Sequence, residues 1–172
     1  MKDSIVIYEK ANELIKIFNT RNPKQIINEI GIELFYVDYF KELLGMYTYK
    51  WKHRAIFIND SLDEHTEKIV LAHELGHDIF HRKLMQDTLL KEFILLNTKN
   101  PTEYEANAFA SHLLLDSSRI ENLISEEMTL YRIAQELETN VDLLLIKINE
   151  MKKLGYAINI PTEMNTQFLI KK

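Results

Sequence analysis

An α+β fold is predicted by three features of this 172-residue sequence. Apolar residues recur at helical spacing over residues 4–18 and again through much of the chain after residue 61. Between these stretches lie three short runs rich in strand formers, at 32–37, 46–51 and 54–58. Four Gly and three Pro leave little room for a flexible linker, so one domain, or one domain with a small appendage, holds all of it.

The elements follow in order. Ile7, Ala11, Leu14, Ile15 and Phe18 mark one face of a first helix. Asn22 caps a second, Pro23 suits its first position, and Gly31 ends it. The runs at 46–51 and 54–58 read as a hairpin turning near Lys52 and His53. Ser61 and Glu64 have capping-box spacing, which predicts a helix from there to about Arg82. Leu84, Leu89, Leu90, Phe93 and Leu96 suggest another over 84–97. Asn100 and Pro101 open a helix to about Leu115. Residues 129–139 and 141–154 read as two helices with a tight turn at Thr139 and Asn140, and the tail from Ala157 as an edge strand.

Composition removes several classes of function. Net charge is −5, from 21 basic and 26 acidic residues, so direct DNA binding is not expected. There is no Cys, so any metal must be held by His and carboxylates. The apolar run near the N-terminus is too short for a signal-peptide core, and Leu143 to Ile146 is too short to span a bilayer. A soluble cytoplasmic protein is expected, with no membrane partner.

The chemistry concentrates in His73-Glu74-Leu75-Gly76-His77. Two His four residues apart on a helix share a face and can reach one Zn²⁺. Glu74 is too close in sequence to His73 to be an easy third ligand. It is instead placed to take a proton from a water beside the metal. Gly76 is costly within a helix, and close approach of metal and substrate to the backbone is the expected reason.

A catalytic zinc needs a third protein ligand. A His six residues beyond His77 with a Gly at the third is one known arrangement, but Lys83 and Phe80 stand there. His81 lies ~12 Å along the axis from His73, too far for one straight helix to supply all three, so it is expected at the helix end, where the dipole favours it. Glu103, on the next capped helix, is the better candidate. Asn107 follows four residues later on the same face and can accept the free N–H of a ligating His. Glu105 and His112 fall on other faces and should miss the metal. The competing reading makes Glu103 part of a capping box with Thr102 and Asn100.

Taken together, these residues resemble the ImmA/IrrE family of metallopeptidases. Ile56-Phe57-Ile58-Asn59 is similar to the family's strand before its zinc helix. Ala72 to His77 is similar to that helix. Glu103, Ala106, Asn107, Phe109, Ala110, Leu114 and Leu115 resemble the motif that supplies the third ligand. The similarity extends over residues 1 to about 155. It implies a zincin-like metallopeptidase core with a small mixed sheet, followed by a helix-turn-helix-like appendage, here divided as residues 1–125 and 126–172. It also implies cleavage of a helix-turn-helix transcriptional repressor, often one encoded beside it on a phage or mobile element. Asp116 departs from the family, which often has Pro after the second motif.

Within the C-terminal segment Ile133, Ala134, Leu137, Val141 and Leu144 have helix-turn-helix spacing. The second helix opens with Asp142 among apolar residues, which suits packing on the core or contact with a protein better than DNA. The expected activity is therefore a zinc metalloendopeptidase, with His73, His77 and Glu103 as ligands, Glu74 as base and Asn107 orienting a ligand. The alternative is a non-catalytic repressor-binding or DNA-binding module with zinc structural or absent. His53, His65 and several Tyr are unranked candidates for stabilising an oxyanion.

Overall fold

The computed structural model describes residues 2–84 and 100–159. The expected helix at 84–97 and most of the C-terminal tail lie outside them; residues 157–159 carry no regular structure.

Helix α1 (Ser4–Phe18) is capped by Asp3, whose side chain accepts from the Ile5 N–H, and it buries Ile7, Ala11 and Leu14. Asn19 leaves it in the left-handed conformation. In α2 (Pro23–Glu29) the Asn22 side chain accepts from the N–H groups of Lys24 and Gln25. Gly31, at φ 72°, then turns the chain into strand β1 (Glu33–Val37).

Strands β2 (Gly45–Lys50) and β3 (His53–Asn59) pair antiparallel, and β1 pairs parallel to β3, giving a mixed sheet in the order β1-β3-β2. The hairpin turns at Trp51 and Lys52, one residue earlier than the sequence suggested; φ is 51° and 67° there, the left-handed pair that two-residue hairpin loops use. Tyr47, Ile56 and Ile58 face the core. Phe35 and Phe57 stack on the other face with centroids 5.1 Å apart.

Helix α3 (Glu64–His81) packs on that inner face. Its cap is Asp63, not Ser61. Asp63 Oδ1 accepts from the Thr66 N–H at 3.0 Å, while the Ser61 hydroxyl donates to Asn59. Helix α4 (Pro101–Leu114) lies against α3, with Asn100 accepting from the Thr102 N–H at 3.1 Å. Glu103 does not close a capping box; its side chain turns towards α3.

Helix α5 (Ser117–Ser125), which the helical pattern did not reveal, is capped by Asp116. Asp116 also pairs with Arg21 at 2.8 Å, so it tethers the exit of α4 to the loop after α1. Helices α6 (Leu130–Glu136) and α7 (Val141–Lys153) follow, capped by Thr129 and Asn140. The face of α7 bearing Leu144, Lys147, Ile148 and Met151 is buried, and α7 packs on α4. The fold is thus mixed α+β, and among the described residues no helix is long and apolar enough to cross a membrane.

Candidate metal centre

Gly76 explains why α3 and α4 can carry one site. A Cβ there would lie 3.0 Å from Ala106 Cα and 3.2 Å from its carbonyl oxygen. The glycine admits the backbone of α4, not a metal or substrate as the sequence suggested. Close approach of the two helices lets the short carboxylate arm of Glu103 reach across. Gly45 plays a matching part on β2, where a Cβ would lie 2.4 Å from Val70 Cγ1.

His73, His77 and Glu103 meet in the resulting seam, with ligand atoms all within 4.8 Å of one another. His73 Nε2 and His77 Nε2 are 2.9 Å apart. Glu103 Oε2 is 3.3 Å from the first, and its Oε1 is 3.4 Å from the second. Donors around a tetrahedral ion with bonds of ~2.0–2.1 Å lie roughly 3.3 Å apart, so the triangle has the right dimensions for one face of such a shell. All three residues are buried.

The protons point the same way. Asn107 Oδ1 lies 2.7 Å from His73 Nδ1 and accepts its N–H, which leaves a lone pair on His73 Nε2. That lone pair faces a second imidazole nitrogen and a carboxylate. Three converging acceptors in a buried site need a cation or a proton between them. Burial alone would raise the Glu103 pKa; the facing imidazoles of His73 and His77 outweigh it and hold the carboxyl well below its usual range. Burial pushes the His77 pKa down, against the opposing pull of Glu103, so its neutral form is favoured. The donor set fits a small divalent cation.

Glu74 is 3% exposed. Burial first, and the neighbouring Glu103 carboxylate second, push its pKa up to about 8, while a hydrogen bond from the Tyr47 N–H opposes them. Tyr47 itself donates its hydroxyl to Asp78 at 2.7 Å, which fixes the strand beside the site.

His81 is the last residue of α3 but is turned inward and buried, with His77 on one side and Glu105 on the other. Glu105 does not join the metal triangle; it is nonetheless buried on the α3 side and not directed to solvent. His112 lies apart, 2.9 Å from Lys147 Nζ. His53 is exposed on the hairpin, and His65 lines a separate cavity with Arg21, Lys68 and Leu115. The sequence could have flagged His81 through its four-residue spacing from His77. Nothing in it signalled Glu105 or Lys147 as buried.

A peptidase family model described as the IrrE N-terminal-like domain matches residues 27–149. The chain is also 32% identical over 129 residues to the uncharacterized immunity region protein 2 of Bacillus phage phi105, covering 75% of this chain and 80% of that protein. The family match takes in α3, α4 and every residue of the triangle, and on that extent the chain belongs to the IrrE N-terminal-like domain family of peptidases.

Proposed function

We propose that the chain is a zincin-like, zinc-dependent endopeptidase that cuts a helix-turn-helix repressor of a phage or mobile element and so relieves repression in the cytoplasm. The observation that carries this reading is the convergence of His73 Nε2, His77 Nε2 and the Glu103 carboxylate beside the buried Glu74. The relative's place in a phage immunity region supports the choice of substrate.

His73, His77 and Glu103 would hold the zinc. Once bound, zinc would supply Lewis acidity towards the scissile carbonyl and lower the pKa of a water to ~7. Glu74 then does the proton work. Its carboxylate takes a proton from the attacking water as oxygen adds to the carbonyl carbon. It passes that proton to the leaving nitrogen as the C–N bond breaks. Burial suits the second half of this task, because a desolvated carboxyl keeps the proton long enough to deliver it. Asn107 keeps His73 in the Nδ1–H form. The helix-turn-helix-like segment containing α6 and α7 is joined to this core through the packing of α7 on α4.

The test incubates zinc-loaded chain with the candidate repressor and reads repressor mass. Wild type should produce two fragments whose masses sum to that of the repressor plus one water. Glu74→Gln should retain zinc yet cut ~10²–10⁴-fold more slowly, the usual worth of a general base. An intact repressor with wild type, together with relief of repression by both proteins in cells, would falsify hydrolysis and favour stoichiometric binding.

A further inference from the structure

Behind the metal triangle, α3 and α4 enclose a chain of polar groups that the mechanism above does not use. His77 Nδ1 lies 3.0 Å from His81 Nδ1, and His81 Nε2 lies 3.1 Å from Glu105 Oε2. The Lys2 backbone N–H donates to Glu105 Oε1 at 2.6 Å. His77, His81 and Glu105 are 3%, 2% and 5% exposed, so solvent does not complete these bonds.

Each of these hydrogen bonds holds one proton, and a carboxylate can only accept. The proton between His81 and Glu105 therefore sits on His81 Nε2. A neutral His81 then offers a lone pair at Nδ1, and the proton facing it must belong to His77 Nδ1. His77 Nε2 is left bare, aimed at His73 Nε2 and Glu103. The opposite order would put a proton on His77 Nε2 and block it as a ligand. Asn107 does for His73 in one step what this chain does for His77 in two.

We propose that His81 and Glu105 are positioning residues that hold His77 in the ring orientation and tautomer a metal requires, an inference that rests on the metal reading above. Loss of such an outer partner typically weakens metal binding ~10–100-fold. An apolar side chain at 81 leaves the buried His77 Nδ1–H with no acceptor, which shifts the proton to Nε2. A glutamine amide has an acceptor oxygen beside a donor nitrogen, matching the acceptor and donor nitrogens of a neutral imidazole, and so can restore the order.

The experiment measures Zn²⁺ affinity by competition with a chromophoric chelator, and the melting temperature of the metal-free proteins alongside. His81→Leu should bind Zn²⁺ ~10–100-fold more weakly, a loss beyond what any drop in its metal-free melting temperature accounts for, and His81→Gln should recover most of the affinity. Glu105→Gln should also weaken binding, because its amide can donate to His81 Nε2 and so permits the blocking order. The inference is overturned if His81→Leu matches wild type, if His81→Gln loses as much as His81→Leu, or if lost affinity merely tracks lost metal-free stability. A wild-type chain that takes up no Zn²⁺ overturns the metal reading, and this inference with it.

Discussion

Lys147 sits 1% exposed between α7 and α4, with His112 Nδ1 2.9 Å from its ammonium nitrogen. Burial first, then the charge of Arg21, pushes its pKa down to about 7, against the opposing pull of Asp116 and Glu150. In the unfolded chain the value returns to 10.5. Between those limits the unfolded state binds more protons than the folded state, so folding stability rises with pH. Below about 7 the cost of the buried lysine is complete, and above 10.5 it is gone. Replacing Lys147 by Met removes this dependence. Wild type should therefore gain on Lys147→Met from pH 7 to 10, by up to ~1.4 kcal/mol per pH unit in denaturant melts. Parallel pH profiles would show that Lys147 is not held neutral. Charged residues on amphipathic helices usually face water, and the sequence held no sign that this one does not. The same reasoning hid Glu105. By contrast the meeting of His73 and His77 was legible from their four-residue spacing on one helix, and that of Glu103 with them from the search for a third donor.

At the scale of elements, the seam between α3 and α4 decides whether three donors can meet. Gly76→Ala tests that seam. Alanine gains ~1 kcal/mol in helix propensity over glycine, while overpacking typically costs ~1–3 kcal/mol. The contact at 3.0 Å is with backbone, which cannot rotate away, so overpacking should prevail. We expect a lower melting temperature and weaker zinc binding, since α4 carries Glu103 away from the His pair as it yields. An equally stable variant with unchanged zinc affinity would mean the helices have slack. Most elements could be read from periodicity and caps, because Asn22, Asn100, Thr129 and Asn140 act locally. Misplacements had local causes too. Asp63 outcompetes Ser61 as a cap because it directly precedes the helix and its carboxylate also accepts from the Thr66 hydroxyl. Helix α5 is short and buries only Ile120 completely, too little pattern to stand out.

Across the described residues, one continuous core links α1, the sheet, α3, α4 and α7. The face of α7 that meets α4 includes Glu150, whose Oε1 accepts from Tyr104 at 2.5 Å and from Lys153 at 2.7 Å. Helix α7 is thereby tied to the helix that carries Glu103, an attachment helix-turn-helix spacing alone does not foretell. The proposed function stands or falls with whether His73, His77 and Glu103 together hold one metal ion. Elemental analysis of chain purified without chelators tests it directly. Wild type should contain about one zinc per chain, and His73→Ala, His77→Ala and Glu103→Ala should contain almost none, because a catalytic shell needs all three donors. His112→Ala should keep its metal. Substoichiometric zinc in wild type that added zinc does not restore, or a Glu103→Ala protein that retains a full complement, would contradict it.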